Sequence, residues 1–146
     1  MTVRPLTKSD VGFLTCACKD FPDAWNEEML LSAFRAGNFY GFIAEEKTDG
    51  KITPVGFITF SMHVDTADLE DLFVEKTFRG QGIGKALIIK FIESAAKNGA
   101  KTLFLEVRES NFVAEKLYLS MGFSKLSVRK KYYFDGENAV VLKKEL

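Results

Sequence analysis

Apolar and polar positions alternate along parts of this chain and recur at helical spacing along others, and the switches between the two divide it into elements. Residues 3–6 can extend as a first strand. Thr7 and Asp10 then favour a helix start, and Val11, Leu14 and Cys18 form an apolar stripe at helical spacing. Asn26, with Glu27 and Glu28 behind it, opens a second short helix carrying Met29, Leu30 and Phe34, which ends near Gly37. Residues 39–45 and 52–62 read as strands, and Thr48-Asp49-Gly50-Lys51 joins them as a hairpin turn. Pro54 and Gly56 mark an edge or a bulge at the start of the second of these strands. Residues 67–74 form the next strand. Residues 82–97 form the main helix, with Leu87, Ile88, Phe91, Ile92 and Ala95 on its apolar face and Asn98-Gly99 as its stop. A strand over 102–107 and a helix over 111–120, stopped by Gly122, follow. Strands over 123–134 and 139–144, joined at Asp135-Gly136, complete the chain. The predicted order is β-α-α-β-β-β-α-β-α-β-β. That is an α+β fold with a mixed sheet flanked by helices, not an alternating doubly wound one.

No repeat, low-complexity tract or linker interrupts this order, so residues 1–146 are read as a single domain. A chain of this length buries roughly 70% of its unfolded surface and needs no disulfide or metal to fold. The net charge is zero, which gives no support to direct nucleic-acid binding. The two cysteines, Cys16 and Cys18, stand two apart in a predicted helix, where their side chains do not meet. With His63 as the one histidine, no zinc site can be assembled from them, and both cysteines are expected to be small buried residues. His63, in a strand pattern, is read as structural. Met1-Thr2-Val3-Arg4-Pro5 lacks the apolar core of a signal peptide, and no apolar run is long enough to span a membrane. The expectation is a cytoplasmic protein without a membrane partner.

Chemistry concentrates where the strand at 67–74 turns into the main helix. Leu72, Phe73 and Val74 lead into Arg79-Gly80-Gln81-Gly82-Ile83-Gly84-Lys85, and the helix follows at once. Glycines let a backbone approach a ligand and aim several N–H groups at one point. The first N–H groups of a helix have no internal partner and carry partial positive charge, so such a loop binds phosphate or pyrophosphate. The spacing excludes two familiar loops. In a triphosphate loop, G-x-x-x-x-G-K-[S/T], Arg79 would stand at the first glycine and Ala86 at the magnesium-binding hydroxyl. In a dinucleotide fingerprint, G-x-G-x-x-G, Lys85 would stand at the third glycine. What fits is Arg-x-x-Gly-x-Gly after a strand. This resembles the acetyl-coenzyme A loop of the GNAT acetyltransferases, whose consensus is Q/R-x-x-G-x-G/A, and the predicted element order is that of the GNAT fold.

The second half extends the resemblance. Leu105-Glu106-Val107-Arg108-x-Ser110-Asn111 is followed by Ala114, Leu117-Tyr118, Gly122-Phe123, Arg129, Tyr132-Tyr133 and Glu137-Asn138-Ala139. The run is similar to the RimI-like branch, the ribosomal-protein-alanine N-acetyltransferases, over about residues 67–142. Ala24-Trp25-Asn26-Glu27-Glu28 matches weakly. The resemblance implies transfer of acetyl from acetyl-CoA, a co-substrate, to a protein N-terminus, with a small-subunit ribosomal protein as partner and no metal. It implies Glu106 as general base, through water, and Tyr118 as general acid toward the leaving thiolate. It assigns thioester contacts to the backbone of Leu72, Phe73 and Val74, pyrophosphate contacts to Arg79, Gly80, Gln81, Gly82, Ile83, Gly84 and Lys85, and a pantetheine contact to Asn111. Chemically the roles are sound. The amine must lose a proton before its lone pair can attack, and a tyrosine with an ordinary pKa near 10 is protonated at neutral pH and can donate. Glu109 and Glu75 are rival bases. The branch's E-D-A reads Glu137-Asn138-Ala139 here, and its A-E-I-x-N reads Ala67-Asp68-Leu69-Glu70-Asp71. These departures either shift the acceptor preference or are neutral surface changes. Asp68, Glu70 and Asp71 either attract a cationic N-terminus or form a solvated strand edge. Two other functions compete: a GNAT enzyme acting on a small amine or a lysine, and a CoA-binding regulatory module without turnover. Retention of both Glu106 and Tyr118 argues against the latter.

Overall fold

The computed structural model describes residues 1–19 and 25–146; Ala24, expected at the approach to the second helix, lies outside them. The elements are β1 (Thr2–Pro5), α1 (Val11–Ala17), α2 (Glu27–Ala36), β2 (Phe39–Thr48), β3 (Lys51–Met62), β4 (Thr66–Val74), α3 (Ile83–Lys97), β5 (Thr102–Arg108), α4 (Phe112–Ser120), β6 (Ser124–Arg129) and β7 (Ala139–Glu145). Short 3-10 turns at Lys8–Asp10 and Lys76–Phe78 lead toward α1 and α3. The strands form one seven-stranded sheet in the order β1-β2-β3-β4-β5-β7-β6. Every pairing is antiparallel except β4 with β5. That one parallel contact needs a crossover, and α3 supplies it.

Local chemistry sets most boundaries. Thr7 and Asp10 form a capping box, and Asp10 also takes two hydrogen bonds from the Arg4 guanidinium at 2.8 and 2.9 Å. The guanidinium holds the Asp10 carboxyl below its usual range. Asn26 Oδ1 accepts the Met29 N–H at 2.9 Å and starts α2. Asp49 and Gly50, both at positive φ, make the two-residue turn between β2 and β3. Pro54 stands where β3 has outrun β4, whose last pair is Val74 with Gly56, so its missing N–H breaks no ladder there. A register shift against β2 falls at the same place, so the expected bulge is present.

The final hairpin differs from expectation. The strand predicted over 123–134 ends at Arg129. Lys131 takes a positive φ of 53°, its N–H donates to Asn138 Oδ1 at 2.9 Å, and Gly136 N–H turns back to the Tyr133 carbonyl at 2.8 Å. The aromatic run Tyr132-Tyr133-Phe134 therefore belongs to a folded loop, despite its strand propensity. Cys16 is the other correction. Leu14 and Cys18, four apart, face inward from α1, whereas Cys16 projects from the opposite side and is exposed. Both cysteines are free thiols.

Two apolar layers cover the sheet. On one face α3 and α4 bury Ile58, Phe60, Leu87, Ile88, Phe91, Leu103, Leu105 and Leu142. On the other, α1 and α2 cover Phe39, Ile43 and Phe57 with Val11, Leu14 and Leu30. The second layer reaches only to β4, where Phe73 stacks on Phe57 at 5.6 Å between ring centroids. Phe104, Glu106 and Arg108 of β5 lie on that same face, beyond the reach of this layer, and their exposure there is what positions the site. Among the described residues no helix is long and apolar enough to cross a membrane.

Phe91, fully buried against Phe60 at 4.8 Å, anchors α3. Phe91→Ala is expected to lower the unfolding free energy by about 3–5 kcal/mol in urea titration. Ile52→Ala, at a residue 62% exposed, is expected to stay within about 0.5 kcal/mol of wild type. Similar losses in the two variants would contradict the assigned core.

Candidate active site

The parallel pairing of β4 with β5 covers only Thr66 with Thr102, Ala67 with Leu103 and Asp68 with Phe104, although β4 runs on to Val74 and β5 to Arg108. The cause lies on the other side of β4. Thr59 pairs with Asp71 and Phe60 with Leu69, so Glu70 is an extra residue, a bulge that bends β4. β5 stays straight beside β7 along its whole length. The strands therefore diverge, and a cleft of about 1140 Å³ opens between them. Its lining includes Asp68 to Phe73 of β4, Phe104 to Arg108 of β5, Asn111 and Tyr118 of the α4 segment, Arg129 at the end of β6, and Tyr132 and Tyr133 beyond it.

At the end of β4, Arg79 Nε–H donates to the Val74 carbonyl at 2.8 Å. The chain then enters α3 through Gly80 and Gly82, at φ of 78° and 85°, a conformation that side chains disfavour. A Cβ at either glycine would meet open space, so the loop presents bare backbone to its surroundings. Gly82 caps α3 without any side-chain hydrogen bond, and the first bond back to it comes from Ala86 N–H at 3.0 Å. The N–H groups of Ile83, Gly84 and Lys85 are thus the uncapped first turn of a long helix, a donor set that fits a phosphate group. Gly84 abuts α4: a Cβ there would stand 3.4 Å from Leu117 Cδ2. This contact sets the spacing of the two helices beneath the cleft.

Tyr118 is 5% exposed, with its ring edge-on to Phe123 at 5.9 Å. Burial, with the charge of Asp71 and the nearby Tyr133, pushes its hydroxyl above the usual tyrosine range, so it stays protonated. Glu106 lies on the open face of β5. Its Oε1 is 3.4 Å from Arg129 Nε, and the nearby carboxylate pushes the Tyr132 hydroxyl above the usual tyrosine range. Asn111 lines the cleft and caps α4 by accepting the Ala114 N–H at 3.2 Å, which engages its amide oxygen and not its N–H₂. The rivals to Glu106 fall outside the cleft lining. Glu75 follows β4 and caps the 3-10 turn, and Glu109 receives the Asn138 amide at 3.4 Å.

The two departures from the branch pattern separate. Asp68 lines the cleft, paired with His63 Nε2 at 2.9 Å. Asn138 instead holds the 130–138 loop together through Lys131 and Glu109. Arg108 organises that loop: its Nη1 donates to Asp135 Oδ2 and Glu137 Oε1, each at 2.9 Å, and its guanidinium lies 4.2 Å from the Tyr133 ring centre. Glu137 also accepts the Ser110 N–H at 2.9 Å. These contacts fix Tyr132 and Tyr133 over the cleft. Cys18 and Trp25 line it from the α1 and α2 side, and burial pushes the Cys18 thiol up to about 12.

Sequence reasoning assigned no site role to Arg129, Tyr132 or Trp25, and gave Glu70 only the alternative of attracting a cationic N-terminus. One signal for Glu70 was visible. The apolar alternation Ala67, Leu69 resumes out of phase at Leu72, Val74, which marks an extra residue between them.

A model of the acetyltransferase (GNAT) family matches residues 12–123. The ribosomal protein bS18-alanine N-acetyltransferase of Haemophilus ducreyi is 41% identical over 92 residues, 60% of this chain and 63% of that protein. This match thus spans less than two thirds of the Haemophilus protein. The enzyme of the same name from Escherichia coli K12 is 33% identical over 132 residues, 84% of this chain and 89% of that protein. The crystal structure of the ribosomal-protein-S18-alanine N-acetyltransferase from Escherichia coli superposes with a TM-score of 0.83 at 29% identity, covering 99% of this chain and 92% of that one. With the diverging strands, the bare glycine turn and the sheet order, the match over residues 12–123 means that this chain belongs to the acetyltransferase (GNAT) family.

Proposed function

We propose that the whole chain is one N-acetyltransferase domain that moves acetyl from acetyl-CoA to the N-terminal α-amine of a protein. The acceptor proposed is the N-terminal alanine of a small-subunit ribosomal protein, as in the names of the relatives. One observation carries the reading: a carboxylate, Glu106, and a buried tyrosine, Tyr118, open on the same cleft, which the diverging β4 edge lines.

In this scheme the pyrophosphate of acetyl-CoA rests on the segment Arg79, Gly80, Gln81, Gly82, Ile83, Gly84 and Lys85. The backbone of Leu72, Phe73 and Val74 takes the pantetheine arm and the thioester oxygen. Charge developing on that oxygen then meets preorganised N–H groups, an electrostatic gain that requires no metal. The Asn111 amide holds the arm from the α4 side. Glu106 takes a proton from the acceptor nitrogen, through water, as the nitrogen bonds to the acetyl carbon. Tyr118 gives its proton to the sulfur as the carbon–sulfur bond breaks. Its burial supports the donor role, because a tyrosine that resists ionisation still carries the proton at neutral pH.

Three outcomes test the scheme. Glu106→Gln is expected to lower turnover by roughly 10²–10⁴ while acetyl-CoA binding is kept, measured by steady-state kinetics and calorimetry. A loss under about threefold would move the base elsewhere. Tyr118→Phe removes only the hydroxyl. The chemical step should slow with little change in cofactor affinity, and an acetyl thioester with a more acidic leaving thiol should restore part of the rate. Unchanged turnover would make Tyr118 a core residue.

The acceptor is tested by mass spectrometry of peptide arrays. An α-amine is about 2.5 units less basic than a lysine amine, so a carboxylate deprotonates it more readily. A peptide beginning with alanine and copying the small-subunit protein should gain one acetyl group, at its α-nitrogen. Acetylation of lysines on an N-terminally blocked peptide, or of a polyamine in preference to any peptide, would replace the acceptor and leave the fold standing.

A further inference from the structure

An N-terminal ammonium loses two protons in each acetyl transfer. One must leave before the lone pair can attack, and the second leaves the nitrogen once it is bonded to the acetyl carbon. Glu106, as assigned above, accounts for one of them. We propose that Glu70, the bulged residue of β4, is a second catalytic carboxylate, which takes the first proton from the acceptor ammonium and leaves Glu106 to take the second. The inference rests on the proposed acetyl transfer to an α-amine.

Geometry supports the assignment. The bulge at Glu70 sits at the start of the divergence, two residues past Asp68 of the last β4–β5 pair, and it turns an additional side chain into the cleft. Ser61 Oγ–H donates to Glu70 Oε1 at 2.8 Å, which fixes the carboxylate and leaves Oε2 for the substrate. The groups around it are Ser61 and His63 from the β3 side, Asp68 and Asp71 on β4, Glu106 on β5, Arg129 at the end of β6 and Tyr132 beyond it. Arg129 and Tyr132 engage Glu106, whereas burial and the charges of Asp68 and Glu106 push the Glu70 carboxyl up. The two carboxylates thus differ in setting, and a carboxylate raised in this way suits the ammonium. His63 and Asp68, half-exposed and 2.9 Å apart, stand beside Glu70 at the rim and offer its proton a way to solvent.

The protons balance. Glu70 carboxylate takes one from the ammonium and releases it to solvent. The free amine attacks, Glu106 takes the second proton, Tyr118 protonates the departing thiolate, and the proton on Glu106 then restores the Tyr118 hydroxyl. The sum is one amide, one thiol and one proton released.

The test compares two acceptors. One is the alanine peptide. The other is the same peptide with an N-terminal trifluoroalanine, whose electron-withdrawing side chain leaves the amine neutral at pH 7, so that the first proton is already gone. Glu70→Gln should lose about tenfold or more in kcat/KM on the alanine peptide at pH 7. The loss should shrink as pH rises and fall within about threefold on the trifluoroalanine peptide. Glu106→Gln should be impaired on both. Glu70→Leu, which places an apolar side chain in the same buried position, should repeat the Glu70→Gln pattern. Acetyl-CoA binding by each variant reports an intact fold. Equal losses by the Glu70 variants on both acceptors, or wild-type rates on both, would overturn the proposal. Wild-type rates for Glu106→Gln would instead remove the base assigned in the preceding scheme.

Discussion

The divergence of β4 from β5 is the constraint on which the rest of this molecule depends. A parallel ladder that ran the full length of β5 would satisfy every backbone group in the gap and leave no cleft. Here the ladder stops at Asp68 and Phe104, and the facing edges beyond it hold N–H and C=O groups that need water or a ligand. Packing on both sides keeps the gap from closing. Leu72 and Val74 are pinned in the layer under α3, while Phe73 is stacked on Phe57 beneath α1. Gly56 in β3 allows the close approach on the far side, since a Cβ there would stand 2.7 Å from the Phe73 carbonyl oxygen. β4 is therefore held by β3 and by both apolar layers, and β5 is held by β7.

Around this gap each element brings one kind of chemistry. The glycine turn and the uncapped start of α3 lie directly after β4, so a donor-rich stretch of backbone follows the open strand edge. α4 follows β5 and brings the buried Tyr118 to the lining of the gap. The opposite wall comes from the 130–138 loop, which Arg108 gathers by joining Asp135, Glu137 and the Tyr133 ring at one guanidinium. A planar guanidinium stacked on a ring has a geometry that a lysine does not reproduce. This wall of the cleft is thus tied to the strand that carries Glu106.

The element order and nearly every boundary were legible in the chain, because caps and apolar periodicity agreed with the final packing. Asn26 and Gly37 bound α2, and Asn111 bounds α4, as their side chains and turn preferences require. The exceptions have physical causes. Residues 130–134 have strand propensity, yet the hydrogen bonds of Asn138 and the left-handed Lys131 fold them into a loop. Cys16 is exposed because helical spacing gives the inward face to Leu14 and Cys18. Of the site, the glycine turn, Glu106 and Tyr118 could be named from motif and resemblance. What joins them could not, since it depends on long-range pairing: the bulge at Glu70, the early end of the β4–β5 ladder, and the Arg108 cluster.

The central claim is that the open β4 edge and the start of α3 receive acetyl-CoA as one continuous surface. Amide hydrogen exchange with and without acetyl-CoA tests it most directly, because it reads backbone N–H groups one segment at a time. The account predicts slower exchange at residues 72–74 and 82–85 together, with β6 unaffected, and no such effect from ATP or NAD. Unchanged exchange at residues 72–74 in the presence of bound acetyl-CoA, or equal slowing by ATP, would contradict it.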